Sequence, residues 1–324
     1  MLAVVCPGQG SQSPGFLGPW LELPDVAERL AAFSDASGVD LVRHGTVSDA
    51  DTIRDTAVAQ PLIVAASLVA LRALLGARPA TELVDVTAGH SVGELAAAAV
   101  AGALTDEGAV GLVAHRARSM AAAAAATPTG MAAVVGGDPE AVLAAIEAAG
   151  LYPANVNGAG QVVAAGDRDA LAAFTAAPPA RARVIPLQVA GAFHTPFMQP
   201  AQEEFAQVAE SWPAEDPTIP LLSDADGTAY PAQNGCPFGR GRDVLRRLAE
   251  QVVAPVRWDL CQQTMRSMGV TGLLELGPAG VLTGLARRAM PGVETLALSS
   301  PDDLEAARDL VFRHTTRRTE EAPK

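Results

Sequence analysis

Gly89-His90-Ser91-Val92-Gly93 is the segment of this sequence best suited to covalent chemistry. The Gly-x-Ser-x-Gly spacing puts a serine on a sharp strand-to-helix turn, where two glycines allow a tight, strained backbone and leave the hydroxyl clear of its neighbours. The flanks agree: residues 84–88 read as a core strand, and LAAAAVAGAL reads as a helix that closes near Gly102. Free N–H groups at that helix start would face an oxyanion forming on an attacked carbonyl. The chemistry on offer is transfer or hydrolysis through an acyl-serine. The plainer alternative is an ordinary strand-helix turn that happens to hold a serine.

A serine nucleophile needs a base, and the five histidines can be weighed singly. His44 in a polar helix end, His115 beside Arg116 on a helix and His314 in the basic tail read as surface residues. His90 adjoins Ser91, and neighbouring side chains on a strand point to opposite faces. His194 remains, in Gly191-Ala192-Phe193-His194-Thr195-Pro196. Its alternative role is a capping histidine before a helix. No acid presents itself: Asp167 and Asp169 lie between Ser91 and His194 but at a helix start, where capping is the simpler role. That leaves room for a group other than a carboxylate to orient the imidazole. The loop PGQGSQ lacks the third glycine of a dinucleotide motif, because position 13 is Ser, and lacks the lysine of a P-loop. A loop leaving the first strand would nevertheless stand beside the serine turn, where open α/β sheets keep their sites. Cys6, Cys236 and Cys261 are odd in number and form no C-x-x-C, so neither a disulfide framework nor a zinc site is expected, and a reducing cytoplasm fits.

The elements that must position these residues belong to an acidic, apolar chain. With 324 residues and a net charge of −13, the protein is a poor general nucleic-acid binder and is not held to anionic lipid by charge. Hydrophobic residues make up 49% and charged residues 18%, which excludes a disordered chain; aromatics are only 4%, so the core must be Ala, Val and Leu with closely packed helices. MLAVVC reads as a buried first strand rather than a signal peptide. The longest uncharged window, 119–137, is broken by Thr127-Pro128-Thr129-Gly130, so no segment is expected to span a bilayer. PLIVAASLVALRALLGA, with Pro61 near a helix start, reads as a central buried helix, and 106–126 as another.

Strand and helix patterns alternate, as in an α/β protein with a mainly parallel sheet. Between 127 and 190 the order becomes βαββαβ. The expected fold is therefore an α/β-hydrolase-like large subdomain (1–126 and 191–324) with an inserted ferredoxin-like small subdomain (127–190). Later elements are expected as a strand at 219–223, helices near 242–254 and 257–268, a strand at 272–276 and a helix after Gly277-Pro278; the charged tail RRTEEAPK is expected to fray.

Three separated motifs, Gly8-Gln9-Gly10-Ser11-Gln12, Gly89-His90-Ser91-Val92-Gly93-Glu94 and Ala192-Phe193-His194, resemble those of malonyl-CoA:acyl carrier protein transacylases and the related acyltransferase domains of polyketide synthases. HRARSM around Arg116, NGAGQVV from Asn157 to Gln161 and beyond, QVVAPVRW from Gln251 and ELGPAGVLTGL extend the match along nearly the whole chain. The resemblance implies that Ser91 is acylated, that His194 is its base, and that the backbone carbonyl of Gln251 orients His194 in place of an acid. It implies backbone N–H groups of Gln9 and Val92 as the oxyanion hole, and Arg116 as a bidentate partner for malonate, a geometry lysine cannot match. Asn157 and Gln161 would join substrate binding. Phe193 before the histidine, with Val92 after the serine, implies malonyl rather than methylmalonyl use, a one-methyl difference that supports only about 10–200-fold discrimination. Relatives commonly carry Asn in the segment Ser223-Asp224-Ala225-Asp226-Gly227; Asp here puts the contact made there in doubt, but not the catalytic set.

The implied activity is ping-pong transfer of malonyl from malonyl-CoA to the phosphopantetheine thiol of an acyl carrier protein, with no metal or other cofactor and with a monomer as default. Arg287 and Arg288 are the candidate docking residues for the acidic carrier. The competing readings are a serine hydrolase or thioesterase, and a catalytically silent acyl-CoA or carrier-binding protein.

Overall fold

The computed structural model describes residues 1–233 and 235–316; the tail expected to fray, 317–324, lies outside them. Among the described residues nine strands alternate with helices: β1 Leu2–Cys6, β2 Val86–Gly89, β3 Thr129–Gly136, β4 Tyr152–Gly158, β5 Gln161–Asp167, β6 Ala182–Pro186, β7 Leu221–Leu222, β8 Gly272–Glu275 and β9 Glu294–Ala297. The helices are α1 Val26–Ser37, α2 Leu41–Thr46, α3 Thr56–Leu75, α4 Gly93–Val100, α5 Asp106–Ala126, α6 Pro139–Ala148, α7 Arg168–Ala176, α8 Gln199–Ser211, α9 Gly241–Glu250, α10 Trp258–Ser267, α11 Val281–Ala289 and α12 Leu304–His314.

The first sheet is parallel, in the order β7-β2-β1-β8-β9. β1 is apolar at every position because it lies mid-sheet with both faces covered. Its register, Cys6 opposite Gly89, brings the carboxyl ends of β1 and β2 level, and the His90 N–H bonds the Cys6 carbonyl at 3.0 Å. The loop carrying Gln9 and the turn carrying Ser91 therefore emerge side by side. The expected strand at 219–223 is only two residues long in the sheet, and β9, short and half-exposed, has no sequence signal of its own.

α3 begins earlier than Pro61 suggests, because Asp55 caps it by accepting from the Ala57 N–H at 2.8 Å; Pro61 lies within the helix. By length and composition α3 could cross a membrane, but 83% of its apolar window is buried inside the protein against its neighbours, α4 and α5 among them. α5 runs 106–126 as expected, capped by Thr105, and places Arg116 at its middle, turned inward. His314 does not belong to the tail: it ends α12 and bonds Thr271 and Glu294.

The second sheet is antiparallel, in the order β4-β5-β3-β6, and carries α6 and α7 over a core that includes Val134, Ile146, Leu171 and Phe174. Asp138 caps α6, and Asp167 caps α7 through the N–H groups of Asp169 and Ala170. β4 is stitched to the residues between α9 and α10 by paired bonds, Val156 N–H to Val256 O at 2.8 Å and Val256 N–H to Ala154 O at 2.9 Å. This seam fixes the antiparallel sheet over the open ends of β1 and β2.

Candidate active site

Ser91 has φ +53°, a left-handed conformation rare for a residue with a side chain, and the surroundings enforce it. A Cβ on Gly89 would lie 2.1 Å from the Gly93 carbonyl carbon, and one on Gly93 would lie 2.2 Å from the Cys6 carbonyl oxygen. Both glycines are thus required by close backbone approach. His194 also takes a positive φ, +60°, in the segment between β6 and α8.

These two turns bring Ser91 Oγ within 2.7 Å of His194 Nε2, and His194 Nδ1 within 3.0 Å of the Gln251 backbone carbonyl. A carbonyl only accepts, so Nδ1 carries the proton and donates it, leaving the Nε2 lone pair to accept from the serine hydroxyl. Burial, then the neighbouring Arg116 charge, pushes the imidazole down to about 3, so it stays neutral throughout the ordinary pH range. Among the described residues no carboxylate bonds this histidine, and Asp167 and Asp169 serve the α7 start. His90 turns away from Ser91, with Nε2 2.9 Å from Asn157 Oδ1. Val92 is the residue before α4, and its N–H, like that of Gln9, meets no acceptor among the described residues.

Arg116 is fully buried, and its guanidinium is lowered to about 10 by desolvation but remains charged near neutrality. Nη1 donates to Gln60 Oε1 at 2.7 Å; Nη2 donates to Gln251 Oε1 at 2.6 Å and lies 3.3 Å from Ser91 Oγ. It stands behind Gln60 and Ser91, which line the cavity, rather than on the cavity wall itself.

Four contributors were given no role from the sequence. The Gln251 side chain, beyond its backbone carbonyl, donates from Nε2 toward Ser91 O at 3.0 Å, Glu94 Oε2 at 2.5 Å and Asp224 Oδ2 at 3.0 Å. Asp224 Oδ2 also accepts from the Ser91 N–H at 2.8 Å. The contact that the departure put in doubt is therefore made to the serine turn itself, while Ser91, His194 and the Gln251 carbonyl stand together as expected. Glu94 and Gln60 could have been suspected only as polar residues in otherwise apolar helix starts.

A cavity of about 230 Å³ opens on Ser91 between the two sheets, lined by Gln9, Val92, Phe193, His194, Met131 and Leu285 among others. Asn157 Nδ2 donates to Gln161 Oε1 at 2.9 Å, and both face this space. Phe193, 6% exposed, narrows it beside His194. Of the expected site residues, Arg116 and Gln251 lie behind the cavity wall, bonded to Ser91, and Arg287 and Arg288 lie away from the site, exposed in the last turn of α11, whose Leu282 and Leu285 form part of the wall.

The acyl transferase domain family matches residues 3–234. A malonyl CoA-acyl carrier protein transacylase of Mycobacterium tuberculosis is 47% identical over 310 residues, covering 96% of this chain and all of that protein. The crystal structure of the transacylase from M. tuberculosis superposes with a TM-score of 0.87 at 47% identity, covering 95% and 99% of the two chains. A malonyl-transacylase solved in complex with its type II polyketide acyl-carrier protein gives 0.83 at 30% identity, covering 95% and 99%. On matches that run nearly end to end in both sequence and structure, this chain belongs to the malonyl CoA-acyl carrier protein transacylase family.

Proposed function

We propose that the protein transfers malonyl from malonyl-CoA to the phosphopantetheine thiol of an acyl carrier protein through a malonyl-Ser91 intermediate. The observation that carries this reading is the buried guanidinium of Arg116 only 3.3 Å from the hydroxyl that His194 is aligned to deprotonate. Ser91 Oγ attacks the thioester carbonyl while its proton passes to His194 Nε2. Collapse of the tetrahedral intermediate expels the CoA thiolate, which takes that proton. The carrier thiol then repeats the sequence in reverse. The Gln9 and Val92 N–H groups suit the oxyanion, and the Gln251 carbonyl stabilises the transient imidazolium. Arg116 pairs with the free malonate carboxylate, which a hydrolase of simple esters would not need. Exchange between thioesters and a serine ester is close to isoenergetic and calls for no metal or other cofactor.

Phe193 supports preference for malonyl over branched analogues, while Asn157 and Gln161 suit the polar groups of the thioester arm. Carrier docking is assigned to Arg287 and Arg288. The sheet order β4-β5-β3-β6 supports a ferredoxin-like small subdomain over 127–190, and the serine turn after β2 supports an α/β-hydrolase-like large one over 1–126 and 191–324. Cys6 and Cys261 are buried free thiols, which suits the cytoplasm.

Intact-protein mass after mixing with malonyl-CoA tests the reading. A stable malonyl adduct mapped to Ser91 and discharged by holo carrier protein is expected. Rapid release of free malonate would make the protein a hydrolase, and an unchanged mass would make it a binding protein.

A further inference from the structure

Acyl exchange needs a serine, a histidine and an oxyanion hole, yet two further carboxyl groups are buried directly beneath the Ser91 turn: Asp224 is 0% exposed and Glu94 3%. Asp224 Oδ2 accepts from the Ser91 N–H at 2.8 Å and from Gln251 Nε2 at 3.0 Å. Glu94 Oε2 accepts from the same nitrogen at 2.5 Å, and Glu94 Oε1 accepts from the Asp224 N–H at 2.7 Å. Gln251 thus ties both carboxyls to Arg116 through Oε1 and to His194 through its backbone carbonyl. The nitrogen has two protons for three acceptors, the third being the Ser91 carbonyl. Asp224 Oδ1 is buried with no partner among the described residues, an unfavourable place for carboxylate charge.

Arg116, from α5, is the cation that meets this pair inside the protein. From α9, Arg247 is a more exposed neighbour already paired with Asp226. Tyr230, from the segment before α9, and Cys261, from α10, face the same two carboxyls, and burial holds both in their neutral forms. Asp259, near Cys261, is paired with Arg257. Two ionised carboxylates would therefore leave one buried negative charge uncompensated. We infer that Glu94 and Asp224 hold one proton between them and act as the positioning pair for Gln251 and the Ser91 turn, so that the cluster of Arg116 and the two carboxyls is neutral rather than anionic when a free carboxylate arrives. Burial raises both groups, Asp224 to about 7 and Glu94 well above the usual carboxylate range, in keeping with a single retained proton. This inference rests on the reading of Arg116 as the malonate partner.

Loss of the shared proton adds a negative charge that opposes malonyl but not acetyl, which has no free carboxylate. For the wild-type protein, the apparent Michaelis constant for malonyl-CoA in Ser91 loading should rise about tenfold or more between about pH 7 and about pH 9.5, while that for acetyl-CoA stays nearly flat. Asp224→Asn keeps an acceptor for Ser91 and Gln251 but cannot ionise. It should load malonyl somewhat more slowly and lose the alkaline rise, whereas Asp224→Leu should not recover loading. A purely structural role would shift both acyl groups alike.

Infrared spectroscopy of the wild-type protein gives a second readout that needs no variant. A protonated carboxyl C=O band should persist at about pH 8, titrate away as the malonyl constant rises, and be missing from Asp224→Asn if that variant folds. Absence of the band, or equal pH dependence for malonyl and acetyl, overturns the shared proton. Failure of the wild type to form any malonyl adduct on Ser91 would instead overturn the function, with the band still deciding the state of the pair.

Discussion

At Arg116 the energetics turn on burial. Its guanidinium is desolvated and held by two glutamine oxygens, Gln60 Oε1 and Gln251 Oε1, with no carboxylate bonded to it among the described residues, which suits direct pairing with a substrate carboxylate. Arg116→Ala should cost malonyl loading about 2–5 kcal/mol in kcat/KM while acetyl loading falls far less, and Arg116→Lys should recover little, because one ammonium cannot reproduce the fork. Equal losses for both acyl groups would assign the residue to folding. His194 carries a different prediction. Its imidazole is pushed from an ordinary 6.5 down to about 3 by burial, so between those values the unfolded chain binds a proton that the folded chain refuses. Folding stability therefore falls as pH drops from about 6.5 toward 3. Urea midpoints recorded across that window should decline in the wild type and decline less in His194→Asn; parallel curves would mean the buried imidazole is not a source of acid sensitivity.

Turns and helix starts do the positioning. A Cβ at Gly93 would overlap the Cys6 carbonyl, so Gly93→Ala must push β1 and α4 apart and should destabilise by about 1–3 kcal/mol, with loading lost before the fold is. A Gly93→Ala enzyme with wild-type urea midpoint and loading rate would show that the turn is slack. Glu275 plays a quieter part at the α11 start, where its carboxylate accepts from the Leu282 and Thr283 N–H groups at 2.9 and 2.8 Å. Since Leu282 and Leu285 wall the cavity, Glu275→Ala should cost about 1–3 kcal/mol in stability and raise the Michaelis constant for acyl-CoA; a change in neither would free α11 from this anchor. The serine turn, the long helices and the βαββαβ order were legible because each has a local cause: paired glycines, sustained apolar runs, capping aspartates. The Gln251 side chain and the Asp224–Glu94 pair were not, because their meaning comes from three segments that only the fold brings together. β9 escaped notice for a related reason, since a four-residue strand is stabilised by its neighbour β8 and not by its own pattern.

For the whole molecule, charge decides how a partner approaches. The chain carries −13 and acyl carrier proteins are acidic, so the proposed encounter cannot be driven by net charge and must use a local basic patch. The exposed end of α11 offers one: Arg287 and Arg288 occupy its last turn, and Arg266, exposed on α10, donates to the Ala289 carbonyl at 3.3 Å and adds a third charge. The same helix walls the cavity a turn or two earlier, so a carrier resting on these arginines has its phosphopantetheine arm close to the opening above Ser91. Arg287 bonds only the Thr295 hydroxyl, at 3.2 Å, among the described residues, and opposing the helix dipole is a role both arginines could fill without any partner. The two roles separate under charge reversal. Arg287→Glu with Arg288→Glu should raise the apparent Michaelis constant for the carrier by about tenfold at low salt, leave malonyl loading of Ser91 from malonyl-CoA unchanged, and erase most of the salt sensitivity of the wild-type transfer step. A double variant that merely loses stability, with carrier kinetics and salt dependence intact, would reduce these arginines to helix caps. It would also move docking to Arg181 and Arg183, which are exposed at the start of β6 on the other sheet.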